Sequence, residues 1–180
     1  MSTEVVRSTG RDETLRAIVG ATSAKIDDDN DRAHARFRAE GSGGDGLRVE
    51  IRVGRHTMVV DEPPALGGEG AAPNPVETAL AALLSCQVIT YRFWSAQLGI
   101  PLDDVRIDVD GDLDVRGFFG LDSGVRPGFA EVRVSVTLDG PASAEQYRKL
   151  AAAVDEHCPV LDLFRNATPV STRLITGGAG

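Results

Sequence analysis

The chain is short of cysteine, of basic charge and of long hydrophobic runs, and each shortage excludes something. Two cysteines, Cys86 and Cys158, occur in 180 residues. That is too few for a disulfide-stapled secreted scaffold or a four-cysteine zinc site. Lys and Arg number 19 against 27 Asp and Glu, a net charge of −8. Such a balance argues against a nucleic-acid or anionic-membrane surface. The longest apolar stretch, around Thr78–Thr90, is too short to span a bilayer. The opening MSTEVVRSTGRDE lacks the apolar segment of a secretory signal, so the expectation is a cytoplasmic chain. There a structural disulfide is unexpected, and one that forms is usually catalytic or redox-sensing. The sequence holds no phosphate-binding glycine loop, H-E-x-x-H, G-x-S-x-G or C-x-x-C.

What is present has the makings of an ordinary globular domain. Apolar residues make up 42% and charged residues 26%. Residues 1–30 read as a polar N-terminal extension with a short helix at Glu13–Val19. Period-2 alternation predicts strands at His34–Glu40 and Leu47–Val53, and a third follows at Thr57–Asp61. The glycine-rich Gly41–Gly46 separates the first pair and Gly54-Arg55 the second. Asn74-Pro75-Val76-Glu77 then sets out a helix start: an N-cap, Pro in the first turn and Glu at N3. The helix should run to Leu98 and stop at Gly99. Its middle, TALAALLSCQVIT, is apolar on nearly every face and predicts a buried helix with Cys86 near its centre.

Alternation returns at Val105–Val115 and Ala130–Leu138, two long strands joined by Arg116–Gly128. That connection is a candidate cover for a channel. Ser143-Ala144-Glu145-Gln146 opens another helix, which Cys158-Pro159 breaks, with a short turn to Arg165. Pro169–Ile175 reads as a final strand and residues 177–180 as a disordered tail. The expected order is β-β-β-α-β-β-α-β, an α+β domain.

The chemistry turns on the thiols. A reacting cysteine needs its thiolate, and a free Cys is mostly protonated at neutral pH. Cys86, in mid-helix, would require a cation from elsewhere, and an arginine supplies one that does not titrate. Cys158 precedes a proline at a helix start and follows His157. Three readings stay open at this point: inert buried cysteines, a zinc site of Cys86, Cys158 and His157, or a reacting pair.

Taken together, Gly67-Gly68, Asn74-Pro75, LAALLSCQ around Cys86 and His157-Cys158-Pro159-Val160 resemble the OsmC/Ohr family. The resemblance spans roughly residues 34–174 and makes residues 31–176 an OsmC-like domain. It implies an intertwined homodimer with two active sites at the subunit interface. It also implies thiol peroxidase activity on organic hydroperoxides, in defence against oxidative stress. Cys86 would be the peroxidatic cysteine and Cys158 the resolving one. No bound cofactor or metal is implied, only an external dithiol reductant of lipoyl type. Two positions depart from the family pattern. Val76 stands where peroxidase members carry a catalytic Glu, which leaves Glu77 as the nearest candidate. Among the arginines of the N-terminal hairpin, Arg48 is the candidate catalytic cation. The alternative function is a non-enzymatic dimer that binds an apolar small molecule at its interface.

Overall fold

The structure, a computed structural model, describes residues 3–177. Residues 178–180 of the expected tail lie outside the described residues.

The central element is α2, residues Pro75–Leu98, with the bounds that its capping residues predict. Asn74 Oδ1 accepts from the Glu77 N–H, and Glu77 Oε2 accepts from the Asn74 N–H, each at 2.8 Å. Pro75 sits in the first turn, where its missing N–H costs nothing. At the other end Gly99 takes a left-handed φ of 63°. That turn lets the Ile100 N–H close on the Ser95 carbonyl.

Strands β4 (Asp104–Asp112) and β5 (Glu131–Asp139) pair antiparallel from Asp104↔Asp139 to Asp112↔Glu131. Their inner face carries Val105, Ile107, Val132, Val134, Val136 and Leu138 against α2 and α4 (Ala144–His157). The outer face is a ladder of exposed ion pairs. Arg133 spans Asp110, Asp112 and Glu131, and Arg106 spans Asp104 and Asp139. Such pairs add little stability each, but they keep that face in water. Leu83, Leu102, Leu150 and Val154 form the driest part of the core. Helix α4 ends at Cys158, where a seven-residue helix, Pro159–Arg165, begins.

Between β4 and β5 the chain makes one helical turn, Val115–Phe118, capped by Asp114. Gly117 is needed here: a Cβ at that position would stand 2.4 Å from the Arg126 carbonyl oxygen.

The N-terminal strands β1 (Ala39–Gly43), β2 (Val49–Val53) and β3 (His56–Val60) form a separate antiparallel sheet. Among the described residues no helix packs extensively across it. Phe37, Leu47, Val53 and Met58 are exposed, while Val60 at its end is buried.

Four expectations need correction. The first strand starts at Ala39 rather than His34 and runs into the glycine stretch as far as Gly43. It does so because Gly41 and Gly43 pair with Ile51 and Val49. Residues 3–28 are one helix, α1 (Thr3–Asp28), not an extension with a short helix. This helix is docked: Arg16 Nη1 donates to the Ala96 carbonyl at 3.1 Å and Arg11 Nη2 to Leu102 at 3.4 Å. Helix α2 is not buried all round, since Ala81, Ala82, Ser85 and Ile89 lie exposed along one side. Pro169–Ile175 is not a strand. Among the described residues no strand lies beside it to bond, and Val170, Leu174 and Ile175 are each more than three-quarters exposed. The α+β class stands, with the order α-β-β-β-α-β-α-β-α-α.

Candidate functional site

Helix α2 and the break between the last two helices meet at the cysteines. Cys86 is half-buried and Cys158 buried, and both are free thiols. Although 72 positions separate them (158 − 86), the two sulfurs are neighbours. Burial pushes the Cys158 thiol up from its ordinary value, and the adjacent Cys86 adds to this. The Leu161 backbone N–H and the Thr90 hydroxyl act in the opposite direction. Cys158 at rest is therefore a protonated thiol held against a more accessible one.

The surroundings are partly polar. Thr90, one helical turn after Cys86, donates to the Cys86 carbonyl at 2.8 Å and is itself buried. Tyr91 is buried beside it, and burial together with the charge of Asp155 pushes its phenol up to about 12. It stays a neutral hydroxyl throughout the physiological range. The His157 ring packs against Trp94 at 4.2 Å between centroids with the planes tilted by 41°, and its Nδ1 lies 2.8 Å from the Ala153 carbonyl. Among the described residues no group of three or more His, Cys, Asp or Glu is placed to hold a metal ion. The zinc reading of Cys86, Cys158 and His157 thus finds no support in the geometry.

A cavity of about 550 Å³ is lined by Leu83 and Gln87 of α2 and by Leu161 of the last helix. Val132, Val134 and Phe129 give it apolar walls, and Arg126 closes one side. The connection after β4 contributes Arg126 and Phe129, so it does border a cavity, though neither cysteine lines it. The buried Gln87 side chain also faces this space.

Glu77 and Arg48 have other neighbours. Glu77 closes the capping box, nine residues (86 − 77) before Cys86, or about 13 Å along the helix. Arg48 pairs with Glu50 at 3.5 Å and lines a second cavity with Asp61, Gly67 and Gly68. Arg92, the arginine nearest Cys86 on α2, is turned to the Leu102 and Asp103 carbonyls. Within one chain, then, neither Arg48 nor Arg92 is aimed at the thiols. Asp61 organises the Gly67-Gly68 loop. Its carboxylate accepts from the N–H groups of Glu62, Glu69 and Ala71 at 2.9–3.1 Å. A Cβ on Gly68 would lie 1.9 Å from the Glu62 carbonyl oxygen, so only glycine lets the loop fold this tightly.

A family model described as OsmC-like protein matches residues 68–173, more than half of the chain and inclusive of both cysteines. The chain belongs to the OsmC-like family. The match begins at Gly68, so Arg48 and the N-terminal sheet lie outside it. Among curated proteins none matches the sequence. Solved structures of OsmC-like proteins share the fold. An OsmC-like protein from Mycoplasma pneumoniae superimposes with a TM-score of 0.64 at 13% identity, over 73% of this chain and 88% of that one. An organic hydroperoxide resistance protein OsmC from Legionella pneumophila gives 0.57 at 25% identity, over 73% and 90%. An organic hydroperoxide resistance protein from Elizabethkingia anophelis gives 0.57 at 18%, over 73% and 89%. No helix of the described OsmC-like chain is long and apolar enough to cross a membrane.

The sequence singled out both cysteines but missed Thr90, Tyr91 and Gln87. One signal was available. Thr90 and Gln87 are polar interruptions of an otherwise apolar helix, and Thr90 lies at i+4 from Cys86, on the same face.

Proposed function

We propose that this OsmC-like protein is a thiol-dependent peroxidase that reduces organic hydroperoxides and serves in defence against oxidative stress. The observation that carries the reading is the pair of free, adjacent thiols, one half-exposed and one buried. The Cys86 thiolate attacks a peroxide oxygen and the O–O bond breaks. The alcohol leaves with a proton, and Cys86 becomes a sulfenic acid. Cys158 then attacks the Cys86 sulfur, a disulfide forms and water departs. An external dithiol of lipoyl type returns both thiols, as family likeness suggests. A relative named for organic hydroperoxide resistance, at 25% identity, supports the same substrate class.

The reading includes a homodimer in the cytoplasm. Three surfaces of the single chain support a second copy: the uncovered β1–β3 sheet, the exposed Ala81–Ile89 side of α2, and the exposed Val170–Ile175 segment. Arg48, immediately before β2 of that uncovered sheet, would then reach the thiols of the other copy and hold the Cys86 thiolate. Glu77 fixes the entry to α2, and any catalytic part it takes is separable by substitution.

The decisive experiment supplies reduced protein with an alkyl hydroperoxide and dihydrolipoamide. Wild type consumes peroxide, and Cys86→Ser abolishes consumption. A fully reduced wild type that does not turn over refutes the reading. The 550 Å³ cavity, which neither cysteine lines, favours a second reading: a dimer that binds an apolar small molecule without chemistry. It requires that Cys86→Ser/Cys158→Ser bind such a ligand as wild type does, with peroxide consumption absent from both.

A further inference from the structure

The cavity of about 550 Å³ holds one polar group that the chain leaves without a partner. Gln87 stands one helical turn after Leu83, and both line the space with Val132 and Val134 of β5. Gln87 is 3% exposed. Among the described residues no group hydrogen-bonds its amide, yet no polar side-chain atom sealed from open space is left without a partner. The amide is therefore open, and what it opens into is the cavity. A buried amide without a partner is costly, and a ligand that bonds it recovers that cost. The apolar wall is also unfinished. Leu163 and Phe164 of the last helix border the space and are 57% and 37% exposed. Charge around the cavity is one-sided. Glu131 is engaged by Arg133 and Asp155 by Arg165, each at 3.0 Å. Arg126 pairs with no carboxylate among the described residues, so one positive charge is left over.

We propose that this cavity is a binding site for an apolar monocarboxylate, with the carboxylate held by Arg126 and the Gln87 amide and the hydrocarbon laid against Phe129, Val134 and Phe164. The volume falls within the range of small-molecule sites, about 300–1,000 Å³. A carboxylate has two oxygens with about four acceptor positions, enough for both donors. Arg126 supplies the charge and a planar fork, and Gln87 supplies an N–H that needs no counter-ion. An alcohol could bond the amide but would leave Arg126 unanswered. An alkylammonium ion would meet a like charge. Neither cysteine lines the cavity, so the ligand binds without a covalent step. The inference rests on the second reading above only in that a small molecule occupies this space. It names the class of that molecule, and it holds whether or not Cys86 reacts with peroxide.

The test is isothermal titration of the full chain with decanoate, n-decanol and decyltrimethylammonium, each below its micelle concentration. Decanoate should bind at least about fivefold more tightly than n-decanol, and decyltrimethylammonium more weakly than either. Arg126→Gln, an exposed change, should weaken decanoate about fivefold to tenfold and leave n-decanol within about twofold. Gln87→Met keeps the shape of the side chain and removes its N–H, and should weaken decanoate by about tenfold. If Gln87→Met does not fold, Gln87→Leu makes the same comparison. Cys86→Ser/Cys158→Ser should bind decanoate as wild type does. Equal affinity for decanoate and n-decanol, or decanoate binding that either Arg126→Gln or Gln87→Met leaves unchanged, overturns the carboxylate assignment while the second reading stands. No binding of decanoate or n-decanol by wild type overturns both, and means that a second copy of the chain fills the space.

Discussion

Glu77 offers a sharp separation between stability and catalysis. Its carboxylate accepts from the Asn74 N–H at 2.8 Å and places a negative charge in the first turn of α2. Glu77→Ala removes both contributions. The lost cap costs about 0.5–1 kcal/mol, at the low end for such contacts because the site is exposed. The lost charge at the helix N-terminus costs about 0.3–1 kcal/mol more. The sum is about 1–2 kcal/mol. For a chain of this size each kcal/mol lowers the melting temperature by about 2–4 °C, so a drop of about 2–8 °C is expected. Glu77→Gln keeps an acceptor for the Asn74 N–H and loses only the charge, about 0.3–1 kcal/mol, so its drop should be about 1–4 °C. Thermal melting by circular dichroism measures both. Peroxide consumption by Glu77→Gln, measured on the same samples, should stay within about threefold of wild type if capping is all that Glu77 does. A fall of tenfold or more with melting barely changed would refute that account and place the carboxylate in the reaction.

Leu150 is wholly buried in the core beneath β4 and β5. Leu150→Ala should cost about 2–5 kcal/mol in urea unfolding, and a loss below about 1 kcal/mol would mean that the site collapses around the gap. Asp61 is held below its ordinary carboxylate range by its hydrogen bond from Ala71 first, and by those from Glu62 and Glu69. Its contribution is complete above the unfolded value of 3.8 and is lost as pH falls through the depressed native one. Asp61→Asn should therefore flatten the acid limb of a melting-temperature profile while changing little of its shape near neutrality. An unchanged acid limb would count against the three-donor nest. Arg16→Ala removes the donor to the Ala96 carbonyl, and amide hydrogen exchange in α1 should quicken several-fold with the exchange of β4 and β5 unchanged. Equal exchange in both proteins would show that α1 does not depend on this anchor.

Elements with strong local signals were legible in the sequence. Helix α2 was, because Asn74, Pro75, Glu77 and Gly99 each have one local job, and those jobs agree on where the helix begins and ends. The β4–β5 pair was legible because a wet outer face and an apolar inner face impose strict alternation. What misled were segments whose state depends on distant partners. Pro169–Ile175 alternates like a strand, but alternation supplies no neighbour to bond. The polar composition of residues 1–30 concealed a helix that is anchored by arginine side chains reaching carbonyls 80 and 91 positions away. At the site, the cysteines announced themselves by rarity. Their meeting did not, since nothing in residues 87–157 taken locally says that α4 returns to the middle of α2.

That return has a consequence for the unfolded chain. A bond between Cys86 and Cys158 would close a loop of some seventy residues, and the denatured ensemble would lose the freedom to separate its ends. In the chain-entropy account this amounts to about 4 kcal/mol at room temperature. The oxidised protein would then be the more resistant form, and the reduced one the more readily unfolded. A melting curve with and without dithiol would report the redox state as a temperature. Equal melting of the two forms would mean either that the bond strains the native core by as much as it restrains the coil, or that no bond has formed, and intact mass tells these apart.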